Sequence, residues 1–332
     1  MTVSVILKTL NEEARIGAAI ESVLAALEGI GGEVIVADGG SRDRTLAIAT
    51  AYPICVVQLD AATAPSCGIG PQLGFQYSRA PFICLMDGDM LLDPGFLPEA
   101  HAFLAAHPKA AGVTGHVAEM NDTSLEYVRR GRRASPENRT GPIDRMNGGG
   151  LYRRAAIEQA GYLSDRNLHG YEEFDLGVRL RMHGWSLHRL DRRFVRHFGH
   201  ALNAYALLLR RWKSGYLRGI GELLRAAMGQ PQWRQLVQDL PELKLWAGVY
   251  AWLVLMVALP FVLPSPLLGL ALDAALTTGI VGMMSLRQRS VSLGLYAVVA
   301  WLFHAAALPL GFLQARKAPD AWIESRVVKD AS

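Results

Sequence analysis

Over roughly the first two hundred residues, short apolar runs alternate with segments whose apolar positions recur every three or four residues. Val3 to Leu7 is a β-rich run, after which Ile16, Ile20, Val23, Leu24 and Leu27 fall on one helical face. Val34 to Ala37, Ile54 to Leu59 and Phe82 to Met86 read as buried strands, with a helix over Arg44 to Ala51. This alternation predicts an α/β fold: a mostly parallel, Rossmann-like sheet with helices on both faces. Beyond Lys244 the pattern changes, and from Leu245 to Phe312 the only formally charged residues are Asp273, Arg287 and Arg289. Leu245 to Leu263, Leu267 to Met284 and Val291 to Phe312 are each apolar enough and long enough for a membrane helix, at about 1.5 Å per residue across about 30 Å of hydrocarbon. Asp273 should then face a bundle, the headgroups or a cavity.

The expected organisation is a catalytic domain over 1–202, an amphipathic or interfacial helical linker over 203–243, a membrane domain of two to three helices over 244–313, and a polar tail over 314–332. Composition supports the membrane part: 51% of the 332 residues are hydrophobic, 19% are charged, and the mean hydropathy is +0.17. The formal net charge of +4 comes without a basic stripe interleaved with aromatics, which argues against a nucleic-acid partner. Cys55, Cys67 and Cys84 show no metal or redox spacing and read as inert thiols of a reducing compartment. The chain enters its first strand without a signal-peptide pattern, so the catalytic domain is expected in the cytoplasm. Arg287 and Arg289 belong on that side by the positive-inside rule. A third full crossing would export Arg316, Lys317 and the tail, so two crossings, three, or a re-entrant segment at Pro309 remain open.

Candidate chemistry sits where ligands collect in such sheets, just after the strands. Asp87-Gly88-Asp89 places two carboxylates at a strand end, a pattern suited to a hard divalent cation completed by a diphosphate. Asp38-Gly39-Gly40-Ser41 combines an acceptor for a base or ribose with glycines that let backbone approach a ligand; Ser41 or Asp43 serves equally well as a helix cap, as does Asn11. Asn147 to Gly150 reads as a flexible loop. Glu172, Glu173 and Asp175 crowd the first turn of a helix, where the macrodipole favours acids and where a general base could also sit. Asp175 could instead pair with Arg179 one turn later. His197 and His200 could add an imidazole to a metal site.

Thr9-Leu10-Asn11-Glu12, Val36 to Asp43, Asp87-Gly88-Asp89 and Glu172 to Leu176, in this order, resemble glycosyltransferase family 2 over about the first 215 residues. The resemblance implies a GT-A fold, a nucleotide-sugar donor, a divalent metal (Mn2+ or Mg2+) and inversion by direct displacement. It assigns Asp38 and Asp87 to the donor, Asp89 to the metal and Glu173 to the base; Thr9, Asn11, Glu12, Gly40, Ser41 and Gly149 join the donor candidates, His197 is the candidate second metal ligand, and Glu172 and Asp175 complete the candidate catalytic acids. Leu10 stands where many members carry a tyrosine, and of the Q-x-x-R-W pattern of processive synthases only Arg211-Trp212 is kept, at the expected acceptor or interface region. The expected function is a non-processive hexosyltransferase acting on a lipid or lipid-linked acceptor at the cytoplasmic membrane face, in cell-envelope glycolipid or polysaccharide synthesis. The alternatives are a processive polysaccharide synthase and a non-catalytic nucleotide-binding scaffold.

Overall fold

The computed structural model of the chain describes residues 2–120, 139–199, 203–240 and 242–330. It divides into two compact units, the first formed by Met1–Asn203 with Ala315–Ser332 and the second by Ala204–Gln314.

Unit 1 is built on β1 (Val3–Thr9), β2 (Gly32–Asp38), β3 (Cys55–Leu59) and β4 (Phe82–Asp87), which lie parallel in the order β3-β2-β1-β4. Beyond β4 the sheet continues through β8 (Gly150–Arg153), β6 (Ala110–Glu119), β9 (Ser186–His197) and β5 (Met90–Leu92), with β7 (Gly141–Ile143) on β9. The β4–β8, β8–β6, β9–β5 and β7–β9 pairings are antiparallel, so the sheet is mixed rather than mostly parallel. Short apolar runs fix that strands exist but not their direction, which depends on the connections between them.

Alternation along β1 determines what each face receives. Val3, Val5 and Leu7 turn toward α1 (Ile16–Leu27), whose Ile16, Ile20 and Val23 are fully buried against them. Ser4, Ile6 and Lys8 must therefore turn to the opposite face. On that face α3 (Ile69–Tyr77) presses directly on the strand, because a Cβ at Gly74 would lie 2.2 Å from Ile6 and one at Gly70 would lie 3.0 Å from Lys8. The intervening α2 (Thr45–Ala49) is short, while α4 (Phe96–Ala106), α5 (Arg154–Gln159) and α6 (Glu172–Met182) complete the cover. The register sets Thr9 opposite Asp38 and Lys8 opposite Asp87, so the loops after β1, β2 and β4 open on one rim.

The polar tail is not a free end. Its last strand, β10 (Ser325–Lys329), pairs antiparallel with β3 and extends the sheet of unit 1.

Unit 2 contains α7 (Ala204–Lys213), a 3-10 turn (Tyr216–Arg218), α8 (Gly219–Ala227), α9 (Trp233–Asp239), α10 (Glu242–Val262), α11 (Pro266–Gln288) and α12 (Val291–Phe312). The last three are long and apolar enough to cross a membrane. Asp273 is buried among the helices of unit 2.

Candidate active site

Three groups of side chains occupy the rim. In the first, Asp38 ends β2 and is fully buried. Its Oδ2 accepts from the backbone N–H groups of Gly40 and Ser41 at 2.9 Å each and from Gln58 Nε2 at 3.0 Å, and its Oδ1 accepts from the Ser41 hydroxyl. The carboxylate therefore closes its own turn instead of projecting into the cleft, because a tight turn leaves backbone donors that need an acceptor. Asn11, in the left-handed region at φ 58°, ties this turn to the loop after β1. Its backbone N–H donates to Ser41 Oγ at 2.8 Å and its Oδ1 accepts from the Arg42 N–H at 2.8 Å. Asn11 and Ser41 are thus loop fasteners rather than helix caps, whereas Asp43 does cap, accepting from the Thr45 N–H at 3.0 Å. Glu12 donates its N–H to Thr45 Oγ1 at 2.8 Å, and Thr9 is buried with no partner for its hydroxyl among the described residues.

The second group is acidic and is built around a lysine that the motif reading missed. Lys8 Nζ lies 3.0 Å from Asp87 Oδ1 and 3.6 Å from Glu172 Oε1. Burial works against its charge, but Asp87, Glu172 and Glu173 outweigh burial and hold the ammonium well above the usual lysine range. Burial raises the Asp87 carboxyl, with Lys8 opposing and Asp89 adding to the rise. Burial pushes the Glu173 carboxyl up to about 7, while Lys8 pulls it down and Glu172 pushes it further up. Its Oε1 accepts from the Gly149 N–H at 2.8 Å and its Oε2 from the Gly148 N–H at 3.2 Å.

The Asn147 to Gly150 segment is therefore bound at its glycines, not a free loop, and Gly150 already begins β8. Gly149 has φ +94° and sits so close to β4 that a Cβ would fall 1.9 Å from the Leu85 carbonyl oxygen. Tyr171, immediately before α6, is held in the left-handed region at φ 67°, a conformation uncommon outside glycine and asparagine that aims the first turn carrying Glu172 and Glu173. Pro71, Tyr152, Leu163 and Leu176 wall the pocket that these two glutamates share, which accounts for the poor solvation of Glu173. Asp175 lies outside this chemistry. It is 1% exposed and bound to Arg179 Nε at 2.8 Å, so it anchors α6 and is no candidate for proton transfer.

The third group carries the metal question. His197 ends β9, with Nε2 3.2 Å from Asp89 Oδ2 and Nδ1 2.7 Å from Glu119 Oε2. Burial disfavours its charged form, but both carboxylates outweigh that and raise the imidazole to about 10. With both ring nitrogens protonated, His197 bridges Asp89 and Glu119; to bind a cation beside Asp89 it would release the Nε2 proton, leaving Glu119 on the far nitrogen as carboxylates orient metal-binding histidines. Asp89 and Glu119 face opposite ring nitrogens and cannot share one ion, and no group of three such ligands occurs among the described residues. A two-residue donor set fits a cation whose remaining positions are filled by diphosphate and water. His200 lies outside the described residues. Arg211 and Trp212 belong to unit 2, where Arg211 stacks over Tyr216 at 5.0 Å and Trp212 meets Phe303 edge-on at 5.6 Å.

The mixed sheet with its polar loops gathered on one rim has counterparts among known proteins. Residues 4–161 match the family model described as glycosyl transferase family 2. Residues 4–161 thus carry a glycosyltransferase family 2 domain, and the chain has the mixed α/β sheet of the GT-A fold. A mannosyltransferase from Pyrobaculum calidifontis, solved with GDP-Man and Mn2+, aligns over 94% of this chain and 86% of its own with a TM-score of 0.59 at 17% identity. S. aureus TarS 1-349 with UDP-GlcNAc aligns over 87% and 93% with a TM-score of 0.52 at 18% identity. Among curated relatives, the glucosyl-3-phosphoglycerate synthase of Mycolicibacterium smegmatis is 36% identical over 104 residues, 30% of this chain and 34% of that one. The low-salt glycan biosynthesis hexosyltransferase of Haloferax volcanii is 40% identical over 100 residues, 30% of this chain and 23% of that one. The matched regions thus span about a third or less of these curated relatives' length.

Proposed function

We propose that the protein is a membrane-anchored, non-processive hexosyltransferase that moves a sugar from a nucleotide donor to a lipid or lipid-linked acceptor in one inverting step. The observation that carries the chemistry is Glu173: a buried carboxylate near neutrality, held by two backbone N–H groups on the rim that also bears Asp87 and Asp89. In this reading Glu173 takes the proton of the acceptor hydroxyl as that oxygen bonds to the anomeric carbon. The bond to the diphosphate breaks on the opposite side, and one displacement inverts the configuration. Glu172 borders the acceptor pocket, and Lys8 restrains the repulsion among the acids. The loops fastened by Asn11, Asp38, Gly40 and Ser41, with Thr9 and Glu12 beside them, form the donor end with Asp87. Asp89 and His197 would hold Mn2+ or Mg2+, whose charge offsets that of the departing diphosphate.

Support for a donor of this kind comes from the relatives solved with UDP-GlcNAc and with GDP-Man and Mn2+. Support for a membrane-borne acceptor comes from the three long apolar helices and from the arginine-rich α7 bearing Arg211 and Trp212. The membrane reading places the protein in the cytoplasmic membrane with unit 1 on the cytoplasmic side. The test is a donor screen with the detergent-solubilised full chain, supplying UDP- and GDP-sugars with membrane lipid extract and determining the anomeric configuration of the product. A retained configuration rejects the one-step mechanism. Equal transfer to a water-soluble and a lipid acceptor rejects the lipid assignment.

A further inference from the structure

Chain connectivity constrains how the apolar helices can meet a bilayer, given the proposed membrane location. The chain leaves unit 1 after Asn203 and rejoins it at Ala315. The returning segment is firmly integrated. Ser325 pairs with Leu59 and Val327 with Val57 on β3, and Ile323 is fully buried in the core formed by Ile35, Val57 and Leu73. Gln76 clamps Ile323 from both sides of its peptide, donating to its carbonyl at 2.9 Å and accepting from its N–H at 3.1 Å. Arg316 pairs with the buried Asp165, and Arg166 donates to the carbonyls of Ala321 and Trp322 at 3.2 and 3.0 Å. A strand bonded into the catalytic sheet lies on the same side of a membrane as that sheet, so the chain between Ala204 and Gln314 crosses an even number of times.

Packing within unit 2 identifies the helix that does not cross. Along α12 the partners advance in step: Tyr296 meets Tyr205 at 5.3 Å, Phe303 meets Trp212, the Leu308 carbonyl abuts Gly221, and Phe312 lies 6.0 Å from the Arg225 guanidinium. The segment from α7 through α8 therefore runs beside α12 for most of its length. That segment carries Arg210, Arg211, Lys213, Arg218 and Arg225. Each such cation costs about 2.5–3.5 kcal/mol at the centre of a membrane helix, so the segment and the helix it lines belong at the interface.

The α10–α11 pair behaves differently. Gly269 packs directly on Pro260 beside the turn, and around that turn Val257, Phe261, Val262, Leu267 and Leu270 are exposed. Both outer ends of the pair are charged, with Glu242 and Lys244 at one and Arg287 and Arg289 at the other. We propose that α10 and α11 cross the bilayer as a hairpin while α12 lies in the interface with α7 and α8, returning the tail to unit 1 on the same side.

The test uses the full chain in a Cys67→Ser background, since Cys55 and Cys84 are buried with thiols raised to about 11 and about 12. Single cysteines are introduced as Glu28→Cys in unit 1, Ser265→Cys at the α10–α11 turn and Ala318→Cys in the tail. Each is treated with a membrane-impermeant maleimide in sealed vesicles of both orientations. The expected result is that positions 28 and 318 label in the same orientation and position 265 in the other. Labelling of 318 together with 265 would mean three crossings and overturn the proposal, as would labelling of all three from one side, which would mean none. A carbonate wash separates the two readings: a chain released from the membranes overturns the membrane location itself, whereas a retained chain with the wrong labelling overturns the hairpin alone.

Discussion

Glu173→Gln should render the protein nearly inactive and, above neutral pH, more stable. Burial lifts the Glu173 carboxyl from 4.5 to about 7, so the folded chain holds this proton more tightly than the unfolded chain does. The contribution of such a group to stability is fully present below the unfolded value and is lost as pH rises through the folded one. At about 1.4 kcal/mol per tenfold difference in proton affinity, the ionised carboxylate costs the fold about 3 kcal/mol in alkaline solution. Glutamine escapes that cost. It keeps the Gly149 hydrogen bond through its carbonyl oxygen but turns an amide donor toward the Gly148 N–H, a loss of about 1 kcal/mol.

The variant should therefore be about as stable as the parent at pH 5, where the unfolded carboxyl is already largely ionised, and more stable by about 2 kcal/mol at pH 9. Its turnover should fall by about 10² to 10⁴ at every pH, with donor affinity nearly unchanged. Thermal unfolding of the full chain at the two pH values, alongside sugar-transfer rates, reads both effects. A stability difference that does not grow in the variant's favour between pH 5 and pH 9 would refute the buried-acid argument. Near-normal turnover would remove Glu173 as the base, and abolition by Glu172→Gln instead would move that role one residue along α6.

Four further outcomes follow from the same geometry. Asp89→Asn should abolish the dependence of donor binding on Mn2+ or Mg2+, and unchanged nucleotide affinity with and without chelator would contradict its role. Lys8→Met removes the cation that pulls Glu173 down, so the acidic limb of the pH–rate profile should move up by about one unit or more, and an unmoved limb would show that Lys8 does not act on the base. Gly149→Ala forces a Cβ against the Leu85 carbonyl at a positive φ and should destabilise unit 1 by more than about 2 kcal/mol, measurable by urea unfolding. Deletion of residues 315–332 strips β10 from β3 and uncovers the cavity filled by Ile323, so the melting temperature of unit 1 should drop by several degrees or more, and an unchanged midpoint would show the tail to be dispensable.

Sequence patterns revealed those parts of the fold in which local spacing decides the outcome. The apolar face of α1, the strands β1 to β4 and the loops after them all follow from alternation within a few residues. Strand direction beyond β4 did not follow, because β8, β6 and β9 are paired through connections whose course has no local signature. The same limit hid the tail: it reads as a polar end, and only long-range partners, Asp165 for Arg316, Gln76 for Ile323 and Gln58 for Arg326, together with β3 make it part of unit 1. Asp38 was found for its position at a strand end, yet its side chain serves the turn. Asn11 and Ser41, each readable as a cap, fasten two loops to one another, since the donors they satisfy belong to loops far apart in sequence.

Lys8 shows where a physical reading could have gone further than motif matching. Its place in β1 puts it on the face of Ser4 and Ile6, and the parallel register sets it opposite Asp87. A lysine in an otherwise apolar strand must find acids or reach water, and the acids nearest in the expected fold were those of the strand-end loop and of the helix starting at Glu172. The consequence concerns ligand entry as well as stability. Asp87, Glu172 and Glu173 face a single ammonium, so the acidic cluster around Lys8 has more carboxyl groups than cationic partners. A diphosphate brought to such a rim meets repulsion unless further positive charge arrives with it. In the proposed reading that charge is the cation that Asp89 and His197 would hold.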